Sequence, residues 1–377
     1  MSSAAAQVTR DNWRTHPHSV WGFRNVRTLL PTRMVPTDGA SRNLEEAAIE
    51  LDRLCFPDGE GESISWRDFL ARTHTDAVLV LHGGRIVCEC YRNGMEPDQP
   101  HMLFSITKSI IGLVAELLAL DGWIDLECAS QHYVPELKGT GFGEARLRDL
   151  LDMRDGVPFD ESYDNAAADI HLYSVHYWGD AQSGVEAVLP HFGVRPGNPG
   201  QFGYRTPVSD VIGWVLRRAT GSSLSALVSH SLWSRIGAEQ HAFFLLDHDG
   251  NEIAGAGFNA TLRDVGRLAL QLRDRTMLPG TLVEQLLGGG DRAAFAASRQ
   301  FPTREGWSYR SFWWVRHDRP ALSALGVFGQ RIFYDPAADL IVVRFGSHPV
   351  ASSAATDALH EHAFAALARR LNPETTR

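Results

Sequence analysis

Lysine is almost missing from this chain of 377 residues: it occurs at Lys108 and Lys138 only, and arginine supplies every other basic side chain. The arginines are dispersed rather than gathered into a basic run. Together with a net charge of −9, this runs against a nucleic-acid footprint, and no polyanion partner is expected. No apolar run approaches the roughly 20 residues that cross a bilayer, and the opening MSSAAAQVTRDNWRTHPHSV has no apolar core of a secretory leader. The expectation is a cytoplasmic protein with no membrane partner. Cysteine is scarce too. Cys55, Cys88, Cys90 and Cys128 fit no zinc spacing, and residues 88 and 90 would share one face of a strand, so reduced structural thiols are expected. Gly-x-Ser-x-Gly is absent, which excludes the nucleophile elbow of an α/β-hydrolase.

What is present is an ordinary globular composition, with 44% hydrophobic and 21% charged residues, enough for one large or two medium domains. The run DAVLVLHGGRIVCECYR, 76–92, holds two β-rich segments around Gly83-Gly84 and reads as a hairpin. LSALGVFGQRIFYDPAADLIVVRF, 322–345, holds two more, broken at Asp335-Pro336. Helical periodicity lies between, at 108–120, 144–153, 208–219, 223–235 and 261–273, and again at 354–371. Strands near both termini and helices in the middle predict an α+β protein. Residues 1–103 and 300–377 would build a sheet domain, and 104–299 a mainly helical domain inserted into it. The Pro/Gly-rich stretch at 193–207 is expected to be a loop, and functional residues concentrate in loops.

The rare lysine sits in HMLFSITKSIIGLVAELLALDGW. If a helix begins near Ser105, Ser105 and Lys108 share a face and the amine lies over the hydroxyl. A serine hydroxyl needs a base to become nucleophilic. A buried lysine amine can be brought toward neutrality and serve as that base, whereas a guanidinium cannot. Apolar neighbours, the electropositive helix start and the absence of a carboxylate within one turn all favour the neutral amine. Lowering lysine to about 7 costs roughly 4 to 5 kcal/mol, which points to function. The bland alternative is a leftover cation at a helix start.

SITK and the segment that follows it, through GWIDLECASQHYVPEL, resemble the first motif of the serine β-lactamase and penicillin-binding protein superfamily. The resemblance is strongest to the branch holding family VIII esterases and 6-aminohexanoate-dimer hydrolases, and it runs from about residue 76 to 348. PGNPGQFGYRTPVSDVIGWVLRRATG, 196–221, is similar to the segment bearing the family's catalytic tyrosine, which falls on Tyr204. GVFGQRIFYDP, 326–336, is similar to the strand that completes the oxyanion hole. The resemblance implies the β-lactamase/DD-peptidase-like fold, an antiparallel sheet flanked by terminal helices plus the helical insertion. It implies Ser105 as nucleophile, Lys108 as general base, Tyr204 as proton shuttle, and the N–H groups of Ser105 and Val327 as oxyanion donors. It places Tyr163 beside the site and requires neither metal nor cofactor.

Two departures from the family pattern bear on substrate. Thr206, in YRT, stands where many relatives have asparagine, and a hydroxyl offers fewer hydrogen bonds than an amide. SALG precedes Val327 where β-lactamases carry Lys-Thr-Gly, so the usual grip on a β-lactam carboxylate is missing. The expected partner is a small ester or linear amide, with β-lactam turnover weak or absent. An acyltransferase on the same site is the alternative, and a non-catalytic ligand sensor the alternative outside enzymes. The aromatic stretches YSVHYWGD and SFWWVRH, with Trp178 and Trp313, would wall an acyl pocket, although packing explains them equally well. HEH at 360–362 points its rings apart on a helix and is assigned to a solvated face; GTGFGEAR, 139–146, is assigned to a connector.

Overall fold

The structure, a computed structural model, describes residues 7–194, 197–352 and 354–372. Residues 1–6 of the stretch read for a leader, and Arg195 and Pro196 of the 193–207 loop, lie outside the described residues. The expected hairpin forms from Thr75–His82 and Arg85–Tyr91, and it is one end of a seven-stranded antiparallel sheet. Beyond it the order continues Leu340–Gly346, Gln330–Asp335, Ala321–Gly326, Trp313–Arg316 and Trp307–Arg310. The central strands read as near-continuous apolar runs because both faces are covered. Val78, Val80 and Val342 point one way, into a core closed by Trp66–Arg72 and Asp357–Leu371 with Phe69, Phe364 and Leu367. Leu79, Leu81, Ile341 and Val343 point the other way, toward Leu262–Asp274 and Ile106–Leu120.

Several details differ from the sequence expectation. The β-rich run at 322–345 forms three strands, not two, because the chain turns sharply at Val327–Gly329 with Phe328 at φ 62°. The helix expected over 144–153 is the short Leu147–Leu151, preceded in the supposed connector by a single turn, Gly141–Glu144, capped by the Thr140 hydroxyl. A four-stranded sheet, ordered Thr32–Val35, Ala242–Leu245, Phe258–Ala260 and His101–Met102, was not foreseen. Its inner strands are short and wholly buried, so they carry no polar alternation to read. His360 does not face solvent: it is 1% exposed, edge-on to Phe69, with Nδ1 against Thr356 O. Among the described residues no group of three or more His, Cys, Asp or Glu could hold a metal ion, and no helix is long and apolar enough to cross a membrane. All four cysteines are free.

The small sheet aims the long helix. Strand His101–Met102 pairs with Phe258–Ala260 and runs directly into Leu103, Phe104 and Ser105 at the start of Ile106–Leu120. Thr107 Oγ1 accepts a hydrogen bond from Phe258 N at 3.0 Å, and Ser109 Oγ donates to Phe312 O at 2.7 Å. Farther along, Glu116 takes two hydrogen bonds from Arg148 and one from Ser311. This apolar helix is therefore tied at three levels to its surroundings, and its N-terminus has one position.

Candidate active site

Ser105 sits at the N-cap of Ile106–Leu120, and Lys108 lies one turn inside. Lys108 Nζ donates to Ser105 Oγ at 2.8 Å and to Gly255 O at 2.6 Å. The lysine is 1% exposed, and burial drives its pKa from the ordinary 10.5 down to about 8; Glu161 and then Asp210 oppose the fall. Those two carboxylates come from other segments, so a reading confined to one helical turn does not see them. Both carboxylates favour the charged amine.

Tyr204 brings its ring to 5.4 Å from Lys108 Nζ and stacks on Trp314 at 5.5 Å, 18° between planes. Burial and the Glu161 charge raise the phenol pKa above its ordinary value, while hydrogen bonding with Ser105 pulls it down. The hydroxyl is thus held protonated within reach of the serine. Thr206 donates to Glu161 twice, from N and from Oγ1, each at 2.5 Å, so its hydroxyl is engaged by the carboxylate. Tyr163 OH donates to Glu161 Oε1 at 3.2 Å. Burial raises Glu161, and Lys108 and Thr206 pull it back.

Val327 reaches this region through a close backbone approach. A Cβ on Gly326 would stand 2.5 Å from Leu103 O, so only glycine lets the end of Ala321–Gly326 lie this near the residues before Ser105. Phe104 and Phe328, on either side, both hold positive φ, 48° and 62°, a conformation costing about 1 to 3 kcal/mol each. Their rings pack 5.1 Å apart and both meet Phe23, which keeps the turns in place. Ser105, Phe104, Val327, Phe328, Tyr163 and Thr206 line one cavity of about 260 Å³, whose far wall includes Ile170, Tyr177 and Trp178.

Eight positions were singled out in the sequence. The structure brings Ser105, Lys108, Tyr204, Thr206, Tyr163, Val327 and Trp178 to this cavity or its rim. Trp313 is not there: it is 1% exposed in the core, and its neighbour Trp314 meets Tyr204, because adjacent strand residues point to opposite faces. Sequence reading missed Glu161, Asp210 and Gly255. Asp210 Oδ2 accepts hydrogen bonds from Tyr173 OH at 2.8 Å and from Tyr177 OH, and Oδ1 accepts from Gly255 N at 3.1 Å. Burial pushes Asp210 up to about 6. A Cβ on Gly255 would stand 2.3 Å from Tyr177 OH, so a side chain here would displace that buried hydroxyl. An acidic residue one turn into an amphipathic helix with apolar flanks, VSDVIGW, was the available sign for Asp210; nothing local marked the other two.

The β-lactamase family profile matches residues 67–366. The chain is 31% identical over 362 residues to the 6-aminohexanoate-dimer hydrolase of Paenarthrobacter ureafaciens, covering 92% of this chain and 90% of that protein. A solved structure described as a 6-aminohexanoate-dimer hydrolase from Bacillus anthracis superposes with a TM-score of 0.87 at 27% identity over 99% of each chain. A penicillin-binding protein from Bacillus halodurans shares the fold at 16% identity, TM-score 0.61, over 79% of this chain and 99% of that one. The similarity thus extends beyond the stretch marked by the sequence motifs, and the chain belongs to the β-lactamase family.

Proposed function

We propose that this β-lactamase-family serine hydrolase cleaves a small ester or linear amide through an acyl-enzyme on Ser105. The observation that carries the reading is the buried Lys108 amine, 2.8 Å from Ser105 Oγ, with its pKa lowered to about 8. At pH 7 about one molecule in ten then holds the neutral amine. That amine accepts the Ser105 proton as Oγ forms its bond to the substrate carbonyl carbon. The resulting ammonium is held by Gly255 O and by the charges of Glu161 and Asp210. The tetrahedral oxygen takes hydrogen bonds from the N–H groups of Ser105 and Val327, each worth on the order of 3 kcal/mol.

Collapse of the intermediate breaks the bond to the leaving group. Tyr204 gives that oxygen or nitrogen its proton and is reprotonated from Lys108, whose Nζ lies 5.4 Å from the centroid of its ring. Water attacks the acyl-enzyme by the reverse proton path, freeing the acid and Ser105. Neither a metal ion nor an organic cofactor enters these steps. The stretch SALGV, without a cation, supports ester and linear amide over β-lactam.

A fluorophosphonate probe tests the reading, with added mass expected at Ser105 and none in Ser105→Ala. A panel of p-nitrophenyl esters, linear amides and β-lactams then ranks the substrates, with butyrate esters expected to turn over faster than a cephalosporin. An unlabelled Ser105 would favour a non-catalytic binding protein. Faster nitrophenol release on adding an alcohol or amine would favour acyl transfer.

A further inference from the structure

Tyr204 has no regular secondary structure to hold it. Residues 201–205 belong to neither helix nor strand, and the helix Pro207–Thr220 begins only after Thr206. A proton donor nevertheless acts only where its hydroxyl is held at the reacting atoms. The hold comes from the segment 300–304, between the helix Arg292–Ser298 and the strand Trp307–Arg310. Gln300 clamps the peptide: its side-chain Oε1 accepts from Tyr204 N at 2.7 Å, and its Nε2 donates to Tyr204 O at 3.4 Å. One amide thus meets both backbone groups of one residue. Phe301 comes edge-on to the Tyr204 ring at 6.2 Å and to Trp314 at 4.8 Å.

Trp314, on which Tyr204 stacks, is fixed in turn. The Arg304 guanidinium carbon lies 4.2 Å from the centroid of the Trp314 ring and 5.1 Å from that of Phe301. Arg304 is itself anchored: its side chain is 12% exposed, and Nη2 donates at 2.7 Å to Asp357 Oδ2, at the start of the helix Asp357–Leu371. Arg331, on the strand that follows the Val327 turn, donates to the other Asp357 oxygen at 2.7 Å. One carboxylate therefore joins the brace of Tyr204 to the strand beside the oxyanion turn. Burial and then Glu161 raise the Tyr204 phenol, and the positive charge of Arg304 works against them.

We infer that Gln300 and Arg304 are positioning residues for Tyr204, Gln300 setting its peptide and Arg304 the ring on which it stacks. The inference rests on Tyr204 protonating the leaving group, and its test separates the two. Nitrophenolate leaves without a proton, whereas ethoxide must receive one. The ratio of kcat/KM for ethyl butyrate to that for p-nitrophenyl butyrate therefore reports the proton donor. The ratio should fall about tenfold or more in Gln300→Met and in Arg304→Gln, with partial recovery in Arg304→Lys, and at least as far in Tyr204→Phe. A role in packing alone would lower both rates alike and leave the ratio in place. Independently of turnover, enzyme labelled with 3-fluorotyrosine gives a fluorine resonance that Tyr204→Phe removes; it should shift and broaden in Gln300→Met and in Arg304→Gln. A ratio that falls in Tyr204→Phe and holds in the other variants would overturn the inference, as would an unmoved resonance. A ratio that holds in Tyr204→Phe as well, with the resonance moved by the other two variants, would overturn the proton-donor reading and leave the positioning intact.

Discussion

Asp210 and Lys108 meet through a single peptide: Gly255 N–H donates to the Asp210 carboxylate at 3.1 Å, while Gly255 C=O accepts from the Lys108 amine at 2.6 Å. The carboxylate therefore orients a carbonyl that in turn orients the lysine amine, and its charge also favours the ammonium. Asparagine at this position has one acceptor oxygen for donors that approach from Gly255 and from two tyrosines. Asp210→Asn is expected to lower kcat by roughly ten- to a hundredfold with KM little changed, as for a lost positioning interaction. Steady-state kinetics against a nitrophenyl ester, with the melting temperature as control, checks it.

The lysine itself is the most direct target. Lys108→Met keeps the volume of the buried chain and removes the amine, so the fold should persist and kcat/KM should fall by roughly 10² to 10⁴. Lys108→Arg should be as inactive, because a guanidinium stays protonated. Retained turnover in either variant, with the circular dichroism spectrum unchanged, would remove Lys108 from the base role.

The pH dependence has a definite sign. In the proposed mechanism the active form is the neutral amine, so kcat/KM should rise with pH, reach half its plateau near 8 and level off above that. Glu161 raises the lysine pKa, so Glu161→Gln should move the rising limb to lower pH. A limb that stays in place or moves to higher pH would show that the carboxylate does not act on the amine. Profiles measured between pH 5.5 and 9.5 on one ester decide between these outcomes.

Backbone placement at Val327 can be disturbed without touching any polar side chain. In Gly326→Ala the new methyl would press on Leu103 O and push the strand away from Ser105. The expected loss is roughly 10² to 10³ in kcat, comparable to removing one oxyanion donor, with a stability penalty of about 1 to 3 kcal/mol. Fluorophosphonate labelling rates alongside urea unfolding separate the two effects. A variant as destabilised as this but as fast as the parent would mean that the approach serves packing alone.

Two kinds of information divide this molecule. A relation carried within one turn of helix or along one strand is written in the residue order. Ser105 and Lys108 share a face because the helix repeats every 3.6 residues, and the hairpin around Gly83-Gly84 follows from local backbone preference. The motif order also marked Val327, which lines one cavity with Ser105, and Tyr204, which lies beside Lys108, since it marks a family whose fold is shared. Trp313 shows where such reading fails: composition marks an aromatic pair, but only the sheet's packing determines that Trp314 meets Tyr204 while Trp313 turns into the core. Glu161, Asp210 and Gly255 approach the site from segments distant in sequence. Residue order alone raised the expectation of a serine activated by an uncharged lysine. How far that lysine is neutralised was decided by folding, because burial and Coulomb interactions depend on distances through space rather than along the chain.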